Sequence, residues 1–483
     1  MQQGSWIDGR WICEGPSRLE VISPNDDQVV FSTPIRVEHA ELAIEAARRA
    51  APAWAALSQN QRAQALKRIE TELAARQEII AEAICREVGK PLWEARGEAK
   101  GLAARVGLTC GPIAADVADW KLPNGAGGGH YLPLGVVAVL GPFNFPAHLA
   151  NGQILPALLL GNTVILKPSE KAAGVAALYA EALAAANLPA GVFNMVQGDH
   201  RAGQILSEDP RVDGVLFTGS TRVGKMILAA NHQQAHKMVS LEMGGKNASL
   251  VCQDADLNNA AAEILNASMM TCGQRCTATS QVYVHQSRID ELAALLRKAV
   301  PKLPVGDPFS DKTFMGPIID QSAKSRLLGL QDLAQDAGVE TLCASRSIDG
   351  PGAYLTPALR LGSWRDHAYF KNEHFGPDLV LIPVSNDNEG MRHINDLEYG
   401  LASSVFCAEQ SLFNDLAARL RCGLVNWNRG TAGATGMLPF GGWRNSGNHR
   451  PGALFAGRLV SAVQARLHGG GSVSAFVEEA LRP

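Results

Sequence analysis

Cys276 lies in the run Thr271-Cys272-Gly273-Gln274-Arg275-Cys276-Thr277, downstream of an acidic, glycine-rich run, Leu241-Glu242-Met243-Gly244-Gly245-Lys246-Asn247. A thiol that attacks carbon needs a base and donors for the oxyanion it creates, and Glu242 is a candidate for the base. Those residue types together suggest covalent catalysis on a carbonyl. A free thiol titrates near ~8.5, so Cys276 needs surroundings that favour thiolate, to which the adjacent Arg275 contributes. Taken singly, each residue has a plainer reading: Cys276 as a buried structural thiol, like Cys272, Cys252 and Cys422, and Glu242 as a helix cap or a salt-bridged acid. Gly244 and Gly245 point instead to close backbone packing around a functional loop. Cys272 and Cys276 lack the paired spacing and nearby His partners of zinc sites, so no metal is expected.

The elements that must position these groups read as α/β. Trp6-Ile7-Asp8-Gly9-Arg10-Trp11-Ile12 predicts a hairpin, because Asp-Gly supplies the positive φ angles of a tight turn. Helices are predicted over 38–57 and 60–88, the second from Leu66, Ile69, Leu73, Ile80 and Ile84 at helical spacing, with Gly89 as its stop. Short apolar runs at 135–140, 163–166, 192–196 and 214–217 then alternate with helical segments at 151–160, 172–186 and 202–207. That alternation argues for βαβ units and a parallel sheet. A second alternating stretch follows, with strands at 248–251 and 281–284 and helices at 258–270 and 289–300, leaving Cys276 in a loop between a helix and a strand. Gly219-Ser220-Thr221-Arg222-Val223-Gly224 follows a predicted strand and opens a helix, so its N–H groups can face a pyrophosphate. It is not the G-x-G-x-x-G fingerprint, and an ordinary βα turn would look similar.

The order and spacing of the Glu242 and Cys276 runs resemble the aldehyde dehydrogenase superfamily. Pro142-Phe143-Asn144-Phe145-Pro146, Lys167-Pro168-Ser169-Glu170, Phe217-Thr218-Gly219-Ser220-Thr221 and Glu373-His374-Phe375-Gly376-Pro377 fit it in sequence order, so the resemblance spans nearly the whole chain. It implies Cys276 as nucleophile, Glu242 as the base that activates water, and Asn144 with the Cys276 N–H as oxyanion donors; alone, Asn144 reads as a turn asparagine at a strand end. It also implies a nicotinamide cofactor, with Lys167 and Glu170 at the adenosine ribose and Glu373 and Phe375 at the nicotinamide ribose and ring. A carboxylate at Glu170 would bond ribose hydroxyls and repel a 2′-phosphate, favouring NAD over NADP. The implied architecture is a Rossmann-like NAD-binding domain (1–115 and 135–245), an α/β catalytic domain (246–425), and bridging segments (116–134 and 457–483) that join subunits into a homodimer or dimer of dimers. Asn426-Trp427-Asn428, Pro439-Phe440-Gly441-Gly442 and Ser446-Gly447-Asn448-His449-Arg450-Pro451 look most like the branch of N-succinylglutamate 5-semialdehyde dehydrogenases of arginine catabolism. That substrate carries two carboxylates, so Arg450 and then Arg275 are the candidate anchors. The chain departs from the branch at Thr279-Ser280-Gln281, where a basic pair is expected. Rival readings are another acidic or amino aldehyde such as succinate semialdehyde, acyl transfer to coenzyme A, which needs no water-activating base, and a non-catalytic protein on this fold.

Composition bounds the rest. At 483 residues and 51.3 kDa, more than one domain is expected. A formal net charge of -3 gives no basic footprint for nucleic acid or an anionic membrane. No apolar run is long enough to span a bilayer, and residues 1–6 show neither a charged nor an apolar signal region. Nine scattered cysteines fit a reducing cytoplasm. The Gly469-Gly470-Gly471 run predicts a flexible entry to the tail.

Overall fold

Val136–Leu140 and Thr163–Lys167 are buried at every position, as parallel strands covered on both faces must be. The computed structural model describes residues 2–469 and 472–482, so Gly470 and Gly471 of the expected flexible run lie outside the described residues. The two strands sit inside a seven-stranded sheet, with Gly214–Thr218 and then Met238–Glu242 beside Val136–Leu140, and Phe193–Met195 beside Thr163–Lys167. These five pair in parallel, and the hairpin Ser5–Ile7 with Arg10–Ile12 closes the far edge antiparallel. Its turn residues Asp8 and Gly9 take φ of 53° and 77°, the left-handed pair the sequence predicts.

A second seven-stranded sheet has the order Glu340–Cys343, Ala358–Leu361, Asp378–Val384, Thr279–His285, Asn247–Val251, Ala402–Phe406, Leu424–Trp427, parallel except at its first edge. Only Met243 to Lys246 separate the last strand of the first sheet from Asn247–Val251 of the second, so Gly244 and Gly245 lie at the joint. A small third sheet pairs Gly127–Pro133 with Trp120–Lys121 on one side and Ser461–Leu467 on the other, all antiparallel.

The helix expected over 60–88 is two, Gln59–Ala75 and Gln77–Val88, broken at Arg76 (φ -104°, ψ 7°). Leu66, Ile69, Leu73, Ile80 and Ile84 are all fully buried across the break, so the apolar period carries no trace of it. Gly89 ends the second helix in the left-handed conformation at φ 76°. Helix Leu92–Leu108 has no counterpart in the sequence reading. Gly97, Gly101 and Gly107 interrupt its pattern, each an unfavourable residue in a helix interior, and tertiary packing of Leu102 and Val106 overrides them. No described helix is long and apolar enough to cross a membrane.

Candidate active site

Between helix Leu257–Met269 and strand Thr279–His285 the chain reverses sharply, with Thr271, Cys272 and Gly273 at φ of 53°, 54° and 65°. Such backbone is costly for non-glycine residues and persists only where the surroundings fix it. Here Glu94 does so: its carboxylate accepts from the Thr271 N–H at 3.1 Å and from the Thr271 hydroxyl, and pairs with Arg275 at 2.5 Å. Arg275 also donates to Thr271 Oγ1 at 2.9 Å. Asn247 Nδ2 donates to the Cys276 carbonyl at 2.6 Å and to that of Ala278 at 3.0 Å, which pins the loop's far side. Cys272 points away, its thiol donating to the Gly316 carbonyl at 3.0 Å.

Cys276 keeps some accessible surface because it lines a cavity. Dense protein around it nonetheless pushes the thiol up to about 12, first by burial, then by the nearby Glu242 and Glu373 charges. Arg275 acts in the thiolate direction and is outweighed, its guanidinium being paired with Glu94. Asn144 is buried, and its Nδ2 donates to the Gln274 carbonyl at 2.9 Å. A primary amide has two N–H groups, so one is left for a ligand oxygen.

Glu242 ends the edge strand Met238–Glu242. Its backbone bridges Gly447, and the Met243 N–H donates to the Ser446 carbonyl at 2.9 Å, so the 441–451 segment folds over it. Neither carboxylate oxygen has a hydrogen-bond partner among the described residues. Burial raises this acid well above the ordinary value, and the Gly442 N–H, close enough to favour the charged form but outside hydrogen-bond geometry, offsets it only in part. A buried carboxyl left unpaired beside a thiol is a group held for work other than stability.

Glu373 accepts from the Gly245 N–H at 2.8 Å. A Cβ at Gly244 would overlap the Glu373 carboxyl group, so the approach of Glu373 to this turn requires glycine there. Burial lifts the Glu373 carboxyl to about 7 against the Gly245 N–H, Lys246 and Arg326. Phe375, at φ 49°, stands edge-on to Phe143 with ring centres 6.0 Å apart.

These groups meet in one cavity of about 780 Å³ whose lining includes Lys167, Glu170, Ser220, Glu242, Cys276 and Glu373. It opens at the carboxyl ends of the first sheet's strands, where open α/β sheets receive ligands. Lys167 Nζ lies 3.3 Å from Glu170 Oε2, which fixes a half-exposed carboxylate at the rim. Gly219, Arg222, Val223 and Phe375 also line the cavity. Thr221 and Gly224 do not: the Thr221 hydroxyl donates to the Asn445 carbonyl at 3.0 Å, and Gly224 lies against Met243. The first N–H groups of helix Thr221–Asn231 lack intrahelical acceptors, and Ser220 Oγ satisfies that of Val223. A cavity of that volume with a carboxylate at one rim and a helix N-terminus on the wall fits a nicotinamide dinucleotide. His200, Gly203 and Gln204 also line it, and no sequence motif marked them.

Neither expected arginine is on this lining. Arg275 is paired with Glu94, and the Arg450 side chain is exposed while its carbonyl accepts from Ser240 Oγ at 3.1 Å. The branch departure at Thr279-Ser280-Gln281 falls inside the second sheet, where Gln281 is fully buried and donates to the Phe370 carbonyl at 2.6 Å. Those positions are committed to the sheet's packing and not to the cavity.

Fold and site define a class. The description "Aldehyde dehydrogenase family" matches residues 11–461, and the chain belongs to that family. It is 35% identical over 479 residues to an N-succinylglutamate 5-semialdehyde dehydrogenase of Paraburkholderia xenovorans, covering 97% of this chain and 98% of the relative. A relative of the same description in Chromohalobacter salexigens is 36% identical over 460 residues, 93% of each chain. Among solved structures it resembles an aldehyde dehydrogenase C mutant of Pseudomonas syringae complexed with NAD+ and octanal, at TM-score 0.92 and 29% identity over 98% of both chains. An NADP-dependent enzyme of E. coli is equally similar, at TM-score 0.92 and 29% identity over 97% of this chain and 98% of that one. The chain is therefore an aldehyde dehydrogenase.

Proposed function

We propose that the chain oxidises N-succinyl-L-glutamate 5-semialdehyde to N-succinyl-L-glutamate in the succinyltransferase route of arginine breakdown, using NAD. The observation that carries the substrate is the likeness to relatives so described along 97% of the chain. The Cys276 thiol releases its proton to water as its sulfur adds to the aldehyde carbon, and the oxyanion of the resulting hemithioacetal is met by Asn144 Nδ2 and the Cys276 N–H. NAD, when bound along the Lys167–Glu373 cavity, supplies the hydride acceptor. The residue left on Cys276 is then a thioester. Glu242 takes a proton from water, the water oxygen adds to the acyl carbon, and the carbon–sulfur bond breaks to free the carboxylate and restore the thiol. An unpaired, raised carboxyl beside the thiol supports hydrolysis over transfer to coenzyme A, because only water needs a base. Residues 1–115 and 135–245 are read as the cofactor-binding part and 246–425 as the part that carries the thiol. Among the described residues strand Ser461–Leu467 leaves one edge unpaired, with Val463 62% and Leu467 82% exposed, which supports a homo-oligomer joined through this sheet.

A panel of aldehydes scored by kcat/KM tests the substrate. The succinylated semialdehyde should exceed succinate semialdehyde and hexanal by at least about tenfold; a higher value for either of those would replace it. For the cofactor, Glu170 at the rim should disfavour a 2′-phosphate, so the wild type should prefer NAD. Glu170→Ser should narrow the NAD/NADP ratio of kcat/KM by about an order of magnitude. Equal use of both by the wild type would overturn the assignment.

A further inference from the structure

Arg105 is a buried cation with almost nothing to hold. It lies on helix Leu92–Leu108 and is 7% exposed. Its Nη2 donates to the Ala453 carbonyl at 3.1 Å, while its Nε is buried without a partner. Burial is the sole resolved influence on its titration, and no carboxylate offsets it. The two acids on the same helix are engaged elsewhere: Glu94 with Arg275, and Glu98 with Lys90 at 2.5 Å and with the N–H groups of Ala147 and His148. Arg62 shows what a structural buried arginine looks like here, since its guanidinium donates to the carbonyls of Leu159, Trp54, Ala55 and Leu57. Leaving a buried charge unpaired is strongly unfavourable unless a partner arrives.

A second unpaired nitrogen lies beside it. His148 Nδ1 is buried without a partner; burial, with Arg105 and Lys90 and against Glu98, lowers the ring toward its neutral form, in which either ring nitrogen can carry the proton. Glycines pack against both groups, so no side chain from those positions caps them. A Cβ at Gly436 would sit 2.6 Å from Arg105 Nη1, one at Gly152 3.8 Å from Nε, and one at Gly101 3.3 Å from His148 Nδ1. The patch is linked to the thiol by packed rings: Arg275, next to Cys276, lies 5.1 Å over Phe145, whose ring is 6.4 Å from that of His148. None of Arg105, Phe145 and His148 lines the cofactor cavity, so the patch is free of the groups that would hold the dinucleotide.

We propose that Arg105, with His148 Nδ1 beside it, receives a carboxylate of the aldehyde substrate at the end remote from the reacting carbon, and so selects acidic aldehydes. The inference rests on the acidic substrate class proposed above and names the side chain that recognises it. The guanidinium keeps a fork of donors free for a carboxylate, the geometry that makes Arg pairs directional.

The test compares wild type, Arg105→Met and Arg105→Lys on N-succinylglutamate semialdehyde, succinate semialdehyde and hexanal, with N-succinylglutamate as inhibitor of hexanal oxidation. Arg105→Met should lose about 100-fold in kcat/KM on the succinylated aldehyde, mostly through KM, and less than about threefold on hexanal. Inhibition by N-succinylglutamate should weaken in parallel, and Arg105→Lys should fall between the two. Equal losses on hexanal and the succinylated aldehyde, or unchanged inhibition, would make Arg105 a structural residue that only supports the Ala453 backbone. Should Arg105→Met lower the melting temperature too far to assay, Arg105→Lys retains the charge and decides by the same acid-to-neutral ratio. If succinate semialdehyde proves the better substrate and the variant still loses it selectively, the named substrate falls and the subsite stands. A wild type that neither favours acidic aldehydes nor is inhibited by the dicarboxylate would overturn the subsite.

Discussion

Cys276→Ala loses aldehyde oxidation by at least about four orders of magnitude, while NAD affinity stays within about twofold, because the thiol forms the bond to substrate and only borders the cofactor groups. The measurement is steady-state NADH production with any accepted aldehyde, paired with NAD titration by protein fluorescence. Cys272→Ala is the control. Its thiol is buried against the Gly316 carbonyl, so it should keep turnover and lose some stability. Substantial activity in Cys276→Ala, or inactivity confined to Cys272→Ala, would relocate the nucleophile.

Glu242→Gln separates the two half-reactions. The amide keeps the shape of the side chain and cannot take a proton from water, so deacylation should slow by about two to four orders of magnitude while thioester formation proceeds. Rapid mixing should then show an NADH burst near one equivalent per site followed by a slow phase. Loss of the burst as well would move Glu242 into the first step.

The same substitution has a pH signature in the unliganded protein. Glu242 is raised in the folded state, so the protonated form is favoured by folding. Destabilisation from ionising it begins as pH rises above the unfolded carboxyl value, near ~4.3, and is complete above the raised folded value. Glu242→Gln removes that titration. Its melting temperature should therefore gain on the wild type as pH is raised from 5 to 9, and a constant difference across that range would mean that the carboxyl is not buried and unpaired in solution.

Much of this molecule is written in short-range pattern. Fully apolar runs alternating with helical periods predicted parallel strands such as Val136–Leu140 and Thr163–Lys167, because a strand covered on both faces must be apolar throughout. Asp8-Gly9 predicted its hairpin because few residue pairs take that turn. The break at Arg76 and the helix Leu92–Leu108 escaped, one because the buried period runs straight across it, the other because tertiary contacts outweigh its glycines.

Among the site residues, Cys276, Glu242, Asn144 and Glu373 stand in motifs of local order, and the fold brings them to one cavity. That convergence depends on two sheets joined through four residues, Met243 to Lys246, which no local pattern specifies. Protonation was likewise decided by tertiary structure. Arg275 stands next to Cys276 in sequence, yet its charge goes to Glu94, and burial with Glu242 and Glu373 sets the thiol. The sequence by itself determined the kinds of reacting groups and their order along the chain. Only the tertiary structure decided which cations lack a carboxylate, since an arginine's partners come from segments far apart: Arg450 is exposed, Arg275 is bound to Glu94, and Arg105, in a helix without a motif, meets one backbone carbonyl and keeps its Nε free.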